Sequence, residues 1–260
     1  MSPQINLTLC KEARLVSLHF SIVKRVSIAL IVLACAVSET PAQRRRTQLN
    51  SRSAVVVDER LAVLRDGPDL SARLLQRMGR GRAVMILGAR RAPDGITFYR
   101  VAVTRRTGGW LQSEAVVSPA RAEDGERLVR LIRGSEEFDR IARARVFLDL
   151  FPRSPARPAV LMLYAEAAEE AASKLSRDAV RRLDEREMTA GGAPLFSYFL
   201  NYNGLDRYQR QGIGFIFNRA VKRFHYDGDG WREILRRYPR SPEAVEARKR
   251  LDALAVLALK

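Results

Sequence analysis

Short apolar runs alternate with turn-forming residues between positions 54 and 118. The runs include AVVV at 54–57, LAVLR at 61–65, AVMIL at 83–87 and FYRVAV at 98–103. Short runs bounded by glycine, proline and aspartate are typical of β-strands joined by tight turns. The pattern therefore predicts a small β-structure over residues 54–118.

Two of the predicted turns contain residues with a clear conformational role. Asp66-Gly67-Pro68 ends one run, and Pro93-Asp94-Gly95 separates two others. Glycine tolerates a positive φ, and proline restricts φ to about −65°. Both segments are therefore expected to reverse the chain between strands.

The run at 98–103 indicates which side chains share a face. Successive side chains of a strand point to opposite sides of the sheet. Tyr99, Val101 and Val103 are therefore expected on one face, and Phe98 and Arg100 on the other.

These features resemble those of the bacterial SH3-like (SH3b) domain, a small β-barrel of the cell envelope. The resemblance rests on Arg65-Asp66-Gly67-Pro68, on Gly81 before the central strand and on Gly109-Trp110 near the end. These elements keep the order and spacing of the family. The resemblance implies a shallow aromatic groove that binds peptidoglycan or an extended peptide.

The residues expected to form this ligand-binding groove are Arg65, Tyr99 and Trp110. A second interpretation is that Tyr99 and Trp110 are half-buried barrel side chains, because aromatic residues are enriched in strands for packing reasons alone. The sequence leaves both interpretations open.

The composition changes after Pro119, where alanine, leucine, arginine and glutamate become dominant. Helices are predicted at 126–132, at 135–151 with Ser135 as N-cap, and from Ser176 to Met188. A last helix is predicted at 242–259, with small and apolar residues on one face.

An internal repeat joins the helices of this second part. Phe151-Pro-Arg-Ser-Pro155 and Tyr238-Pro-Arg-Ser-Pro242 each follow one predicted helix and precede another. The first proline of each copy stops the incoming helix, and the second proline suits the start of the next. The element resembles the junction between helices in tetratricopeptide-like (TPR-like) repeats of envelope proteins, which implies a partner-binding role. The aromatic stretch 194–217 either fills the core or lines a concave peptide-binding face.

The predicted fold class is therefore α+β with two domains. A small SH3-like β-barrel at 54–118 is expected to precede an all-α helical-hairpin, TPR-like interaction domain at 122–260.

The N-terminal 42 residues have the pattern of a secretory signal. Lys24-Arg25 precede the apolar run VSIALIVLACAV at 26–37, which is shorter than the ~20 residues that a membrane span needs. Cleavage is expected before Gln43, followed by a flexible basic linker at 43–53. An alternative is that the segment ending at Cys35 is a lipobox and that Cys35 is lipidated. Either way, the chain is expected to be exported to the periplasm or envelope.

The formal net charge of +17 is carried mainly by arginine. One interpretation is attraction to an anionic partner, such as a wall polymer or a membrane surface. The other is a genome-wide bias toward arginine, because these residues are scattered along the chain. Export argues against nucleic acid as the partner.

The residues needed for several kinds of catalysis are missing from the sequence after position 42. It contains no cysteine and one histidine, His225, which excludes Cys-His peptidases and zinc amidases. Asp227-Gly-Asp-Gly230 lacks the later ligands of a calcium loop and is expected to be a turn before Trp231. No cofactor or metal is predicted.

The sequence thus favours a non-enzymatic envelope protein that binds peptidoglycan or a peptide through one domain and a protein partner through the other. A carboxylate-dependent peptidoglycan hydrolase is one alternative, with Glu166, Glu169 and Glu170 as candidate residues. A purely structural envelope adaptor is another.

Overall fold

The computed structural model describes residues 52–182, 190, 192, 204–218 and 220–258. These residues belong to one compact unit, Leu49–Lys260, which contains both a β-sheet and a set of helices. The predicted signal segment, Cys35 and most of the predicted linker lie outside the described residues. The α+β fold class is confirmed.

Residues 53–117 form one antiparallel sheet. Its strands are β1 (Ser53–Val56), β2 (Val63–Arg65), β3 (Leu74–Arg77), β4 (Ala83–Arg91), β5 (Thr97–Ala102), β6 (Gly108–Gln112) and β7 (Val116–Val117). Their order across the sheet is β3-β2-β6-β5-β4-β1-β7. A short 3₁₀ turn, Ser113–Ala115, separates β6 from β7.

The sheet is not closed into the expected barrel. Within the described residues, β3 pairs only with β2, and β7 pairs only with β1, so these two strands are its edges. The physical reason lies in the last strand. β7 is two residues long, and the chain leaves the sheet after it and enters a helix at Ala122, after four intervening residues.

The faces and turns predicted for this sheet are confirmed. Tyr99 and Val101 are buried in one apolar cluster, and Val103 packs against it. Arg100 is exposed on the other face. The β4–β5 hairpin turns at Gly95, whose φ is +86°, as the Pro-Asp-Gly pattern predicts.

In the part of the chain that the structure describes, six helices follow the sheet. They are α1 (Ala122–Arg133), α2 (Glu137–Leu150), α3 (Arg157–Arg182), α4 (Leu205–Gln209), α5 (Asp229–Arg237) and α6 (Glu243–Ala258). The two Pro-Arg-Ser-Pro elements connect α2 to α3 and α5 to α6, and the helices of each pair pack against each other. The predicted helical hairpins are therefore confirmed.

The expectation of an all-α second part is wrong. β8 (Phe215–Asn218) and β9 (Arg223–Tyr226) form an antiparallel hairpin that packs against α3. Phe224 and Tyr226 alternate along β9 and are buried, which is the period of a strand. The buried Leu205, Tyr208 and Ile213 confirm that the described end of the aromatic stretch belongs to the core, whereas 194–203 lies outside the described residues.

Two predicted helix starts are also wrong. α2 begins at Glu137, and the Ser135 hydroxyl contacts Leu131 O and the Arg143 guanidinium instead of capping the helix. Ser176 lies inside α3, where its buried hydroxyl accepts a hydrogen bond from Phe224 N at 2.8 Å. Ser135 thus joins the end of α1 to α2, and Ser176 connects α3 to a strand 48 residues further along the chain, which a local pattern does not reveal.

Besides the sheet's own apolar cluster, a second and larger hydrophobic cluster is shared by the sheet and the helices. Val55, Val57 and Val117 of the sheet region are buried in the same cluster as the apolar faces of α1, α2 and α3. The Arg143 side chain of α2 crosses this junction, with Nε donating to Val57 O at 3.1 Å and Nη2 lying 3.5 Å from Asp58 Oδ2. Packing and a buried ion pair therefore hold the two layers together.

Candidate binding surface

The structure separates the three residues predicted to form one groove. In the register of the sheet, Trp110 lies between Arg65 on β2 and Arg100 on β5. Tyr99 instead pairs with Leu111, and both are buried in the sheet's core. Arg65 and Trp110 are therefore neighbours on the outer face, whereas Tyr99 points inward.

Tyr99 is 8% exposed, so little of its ring can contact a ligand. The Arg121 guanidinium lies 5.3 Å from the centre of this ring, in the range of a cation–π contact. Tyr99 thus packs in the core and contacts the start of α1.

A cleft of about 520 Å³ opens beside Trp110 on the outer face. The β2–β3 hairpin contributes Asp66 and Leu75 to its wall, and β4 contributes Leu87. The remainder of the lining comes from the β5–β6 hairpin and its flanking strand residues, from Arg100 to Trp110. The cleft therefore lies between two hairpins that a rigid sheet holds in place.

The lining combines apolar and cationic side chains. Leu75 is 42% exposed and Leu87 is 51% exposed, and Trp110 is half-buried between strands. Arg100, Arg105 and Arg106 provide the positive charge. Asp66 is the acidic residue of the lining, and its carboxylate pairs with Arg73 at 3.2 Å. This combination suits a ligand with both apolar and carboxylate or phosphate groups.

Arg65 supports one wall of the cleft instead of lining it. Its Nη1 donates a hydrogen bond to Ala72 O at 2.7 Å, across the β2–β3 hairpin. This contact fixes the hairpin that carries Leu75. Arg65, predicted as a ligand-binding residue, thus lies beside the cleft and positions the hairpin that forms its wall.

The Gly-Gly pair before Trp110 brings the strands of the cleft together. A Cβ atom at position 109 would lie 2.5 Å from Arg65 O, and one at position 108 would lie 2.9 Å from Val101 O. Neither approach is sterically allowed for a side chain. The glycines therefore permit β6 to lie close enough to β2 and β5 to place Trp110 at the cleft.

The three candidate glutamates line a different cavity of about 520 Å³, on the helical side. Glu169 is already occupied, because it accepts a hydrogen bond from Trp231 Nε1 at 2.8 Å and pairs with Arg250 at 3.0 Å. Burial raises the pKa of the Glu166 carboxyl, and Arg250 opposes that shift. Glu170 is exposed. Glu169 thus anchors a buried tryptophan in the core.

The turn predicted over Asp227–Gly230 is wrong in its second half, because only Asp227 and Gly228 precede α5, whereas Asp229 and Gly230 are its first residues. Gly228 has φ +83° and caps α5, and the Asp227 carboxylate accepts a hydrogen bond from Asp229 N at 3.0 Å. Burial lowers the pKa of nearby His225. Within the described ranges, no group of three histidine, cysteine or acidic residues could hold a metal ion.

No helix in the described part of the chain is both long and apolar enough to cross a membrane. Comparison of the sequence and structure with family models, curated proteins and solved structures finds no match.

Proposed function

We propose that this chain is a non-enzymatic, exported envelope protein with two binding parts. The sheet, which resembles an SH3b domain, holds peptidoglycan or an extended peptide. The helical hairpins, which resemble TPR-like repeats, hold a protein partner. The observation that carries the proposal is the cleft beside Trp110, where exposed leucines and arginines lie around a half-buried tryptophan.

The distribution of exposed apolar residues supports the sheet as the ligand-binding part. Soluble proteins rarely leave large contiguous apolar patches exposed unless they bind something. Most of the large apolar side chains that are exposed in the described residues lie between positions 61 and 87, namely Leu61, Leu70, Leu74, Leu75, Met85 and Leu87.

The charge of the chain is compatible with an envelope ligand. Peptidoglycan peptides and anionic membrane surfaces both carry negative groups, and a strongly basic protein is attracted to each. The arginines of the cleft provide a specific place for such groups, whereas the scattered arginines elsewhere provide only a general attraction. The two contributions differ in their salt dependence.

The hydrolase alternative depends on the glutamate cavity. The raised pKa of Glu166 favours a protonated carboxyl, which a general acid requires. Its neighbour Glu169 already binds Trp231 and Arg250. The remaining carboxylate, Glu170, lies one helical turn from Glu166 on the same helix, whereas the two carboxylates of a glycosidase flank the scissile bond. The binding proposal is therefore preferred.

The first experiment is co-sedimentation of the purified protein with isolated sacculi at low and high salt. Retention at high salt that is lost in a folded Trp110→Ala variant would support a specific site in the cleft. Equal retention of wild type and Trp110→Ala would overturn it. Release of soluble muropeptides would instead support the hydrolase, and an absence of binding would leave the adaptor function.

A matched pair of variants separates the cleft from the general charge. Arg105 and Arg106 line the cleft, whereas Arg90 and Arg91 lie at the far end of β4. Replacing either pair with glutamine removes the same charge from the same sheet. A specific site predicts that only the Arg105/Arg106 variant loses binding.

A further inference from the structure

β3 is an edge strand whose residues are all exposed. Within the described residues it pairs with β2 alone, and Leu74 and Leu75 are 45% and 42% exposed. Edge strands present unpaired main-chain groups to which another extended chain can add. β3 therefore combines an open sheet edge with exposed apolar side chains.

The register shows which main-chain groups face the open edge. Leu64 lies opposite Gln76, and Met78 N donates to Ala62 O at 2.9 Å. In an antiparallel pair the residues between two hydrogen-bonded positions point their N–H and C=O groups away from the partner strand. Arg77 therefore directs both groups toward the open edge.

The other end of β3 behaves in the same way. Asp66 N donates to Arg73 O at 3.1 Å, and Arg65 lies opposite Leu74. Leu74 consequently also directs its main-chain groups outward. A bulge at Leu75 separates the two outward-facing positions.

The charges around this edge select an acidic partner. Arg77 is exposed on β3 itself and carries the main charge of the edge, whereas Arg73, which flanks the strand, is paired with Asp66 at 3.2 Å. A second copy of the same edge would bring these arginines close to their own counterparts, which is unfavourable for directly opposed strands. Carboxylate side chains on an added strand would instead be attracted.

The edge is continuous with the cleft beside Trp110. Leu75 belongs to β3 and also lines that cleft. A chain paired along β3 would therefore have side chains within reach of the cleft's arginines. A single ligand can contact both the β3 edge and the cleft only if it is an extended chain with main-chain hydrogen-bonding groups.

We propose that β3 binds an extended acidic peptide as an additional strand, through main-chain hydrogen bonds at Leu74 and Arg77. The mode is β-strand addition, in which the main chain provides affinity and the alternating side chains provide specificity. This inference rests on the proposed function and deepens it, because it selects a peptide over a glycan as the ligand of the sheet.

The test uses a synthetic nine-residue peptide of alternating glutamate and valine, with an alternating lysine and valine peptide as the control. The glutamate peptide is expected to bind the purified protein in a fluorescence-anisotropy titration, and the lysine peptide is not. Each amide is then replaced in turn by an ester, which removes one N–H donor. Replacement of the amides that pair with Leu74 and Arg77 is expected to weaken binding about 3- to 10-fold, because a net hydrogen bond contributes about 1 kcal/mol, and the other replacements are expected to be tolerated.

Variants of the edge provide the complementary measurement. Arg77→Pro removes the outward N–H, whereas Arg77→Ala removes only the side chain's charge. Binding should be lost in the proline variant and weakened in the alanine variant. If Arg77→Pro does not fold, the ester series still decides the question, because it leaves the protein unchanged.

Three results would overturn the proposal. One is equal tolerance of esters at all positions, and another is equal binding of glycan strands stripped of their peptides. The third is concentration-dependent dimerisation that Arg77→Pro abolishes, which would assign the edge to a second copy. If Trp110→Ala still abolishes sacculus binding in those cases, the proposed function stands without strand addition. If esters opposite Leu74 and Arg77 weaken peptide binding but Trp110→Ala still binds sacculi normally, strand addition stands and the role of the cleft in sacculus binding is overturned.

Discussion

The junction between sheet and helices uses arginine in one way, and the cleft beside Trp110 uses it in another. At the junction, the Arg143 side chain is 6% exposed and contacts Val57 O, Ser135 Oγ and Asp58. In the cleft, Arg100, Arg105 and Arg106 are exposed to solvent. The arginines of this basic chain therefore include buried, paired side chains and exposed ones, and only their surroundings in the structure distinguish the two.

The difference has an energetic basis. A buried charge must be paired and hydrogen-bonded, because removing it from water costs several kcal/mol. An exposed charge pays almost none of this cost, and it remains free to contact a ligand. The junction's arginine is consequently expected to determine stability, and the cleft's arginines are expected to determine binding.

The largest effect is expected for Asp58→Asn. This change leaves the buried Arg143 without its charged partner and should lower the free energy of unfolding by about 3–5 kcal/mol. The matched control is Asp66→Asn, whose pair with Arg73 is exposed and should contribute less than about 1 kcal/mol. Urea unfolding measures both, and equal losses would contradict the distinction between the two regions.

The next effect tests the backbone of the cleft. Gly109→Ala should lower the free energy of unfolding by about 1–3 kcal/mol, since its Cβ would lie 2.5 Å from Arg65 O. Gly88→Ala on β4 is the control, because no atom lies within 4 Å of its Cβ position. Thermal unfolding of both variants gives the comparison, and an equally stable Gly109→Ala variant would show that β6 can move away from β2.

A smaller effect is expected for the Arg105/Arg106 pair. Replacing both with glutamine should weaken sacculus binding about tenfold, since exposed charge pairs contribute up to about 1 kcal/mol each. The melting temperature should not change. A loss of stability without a loss of binding would assign these arginines to the structural class.

The smallest effect is the pH dependence of the junction. The hydrogen bonds and charge of Arg60, with Arg143 behind it, hold the pKa of Asp58 below its usual range. Because this pKa is depressed in the folded state, the contribution to stability is present above about pH 4 and is lost as the pH falls through the folded value. Unfolding measured between about pH 2 and 5 should show a smaller acid loss in Asp58→Asn, and an identical profile would contradict the assignment.

The sequence predicted much of the local structure because local physics decides it. The chain reverses after Asp66-Gly67-Pro68 and at Pro93-Asp94-Gly95, where Gly95 has a positive φ, and the faces of β5 follow from alternation. The two Pro-Arg-Ser-Pro junctions likewise depend on the backbone restrictions of proline. Each of these features lies where the local pattern placed it.

The candidate site could be predicted only in part. Of the residues that the Gly-Pro and Gly-Trp elements indicate, Trp110 lines the cleft and Arg65 lies beside it, whereas the wall residues Leu75 and Leu87 have no distinguishing local signal. The sequence places Tyr99 in the same groove because alternation within one strand does not show which residues of the neighbouring strand lie on the same face of the sheet. That relation depends on register, which the whole sheet determines.

By itself, the sequence determined where the chain turns, which residues alternate along a strand and where helices pair. Tertiary structure alone decided that Arg143 reaches Asp58, that Ser176 contacts β9 and that the sheet stays open at β3. These outcomes depend on contacts between residues far apart in the chain, and their energy comes from burial. A local pattern does not show which segments will pack over a given residue. Only the tertiary structure therefore distinguishes the arginines that stabilise the fold from those that remain exposed.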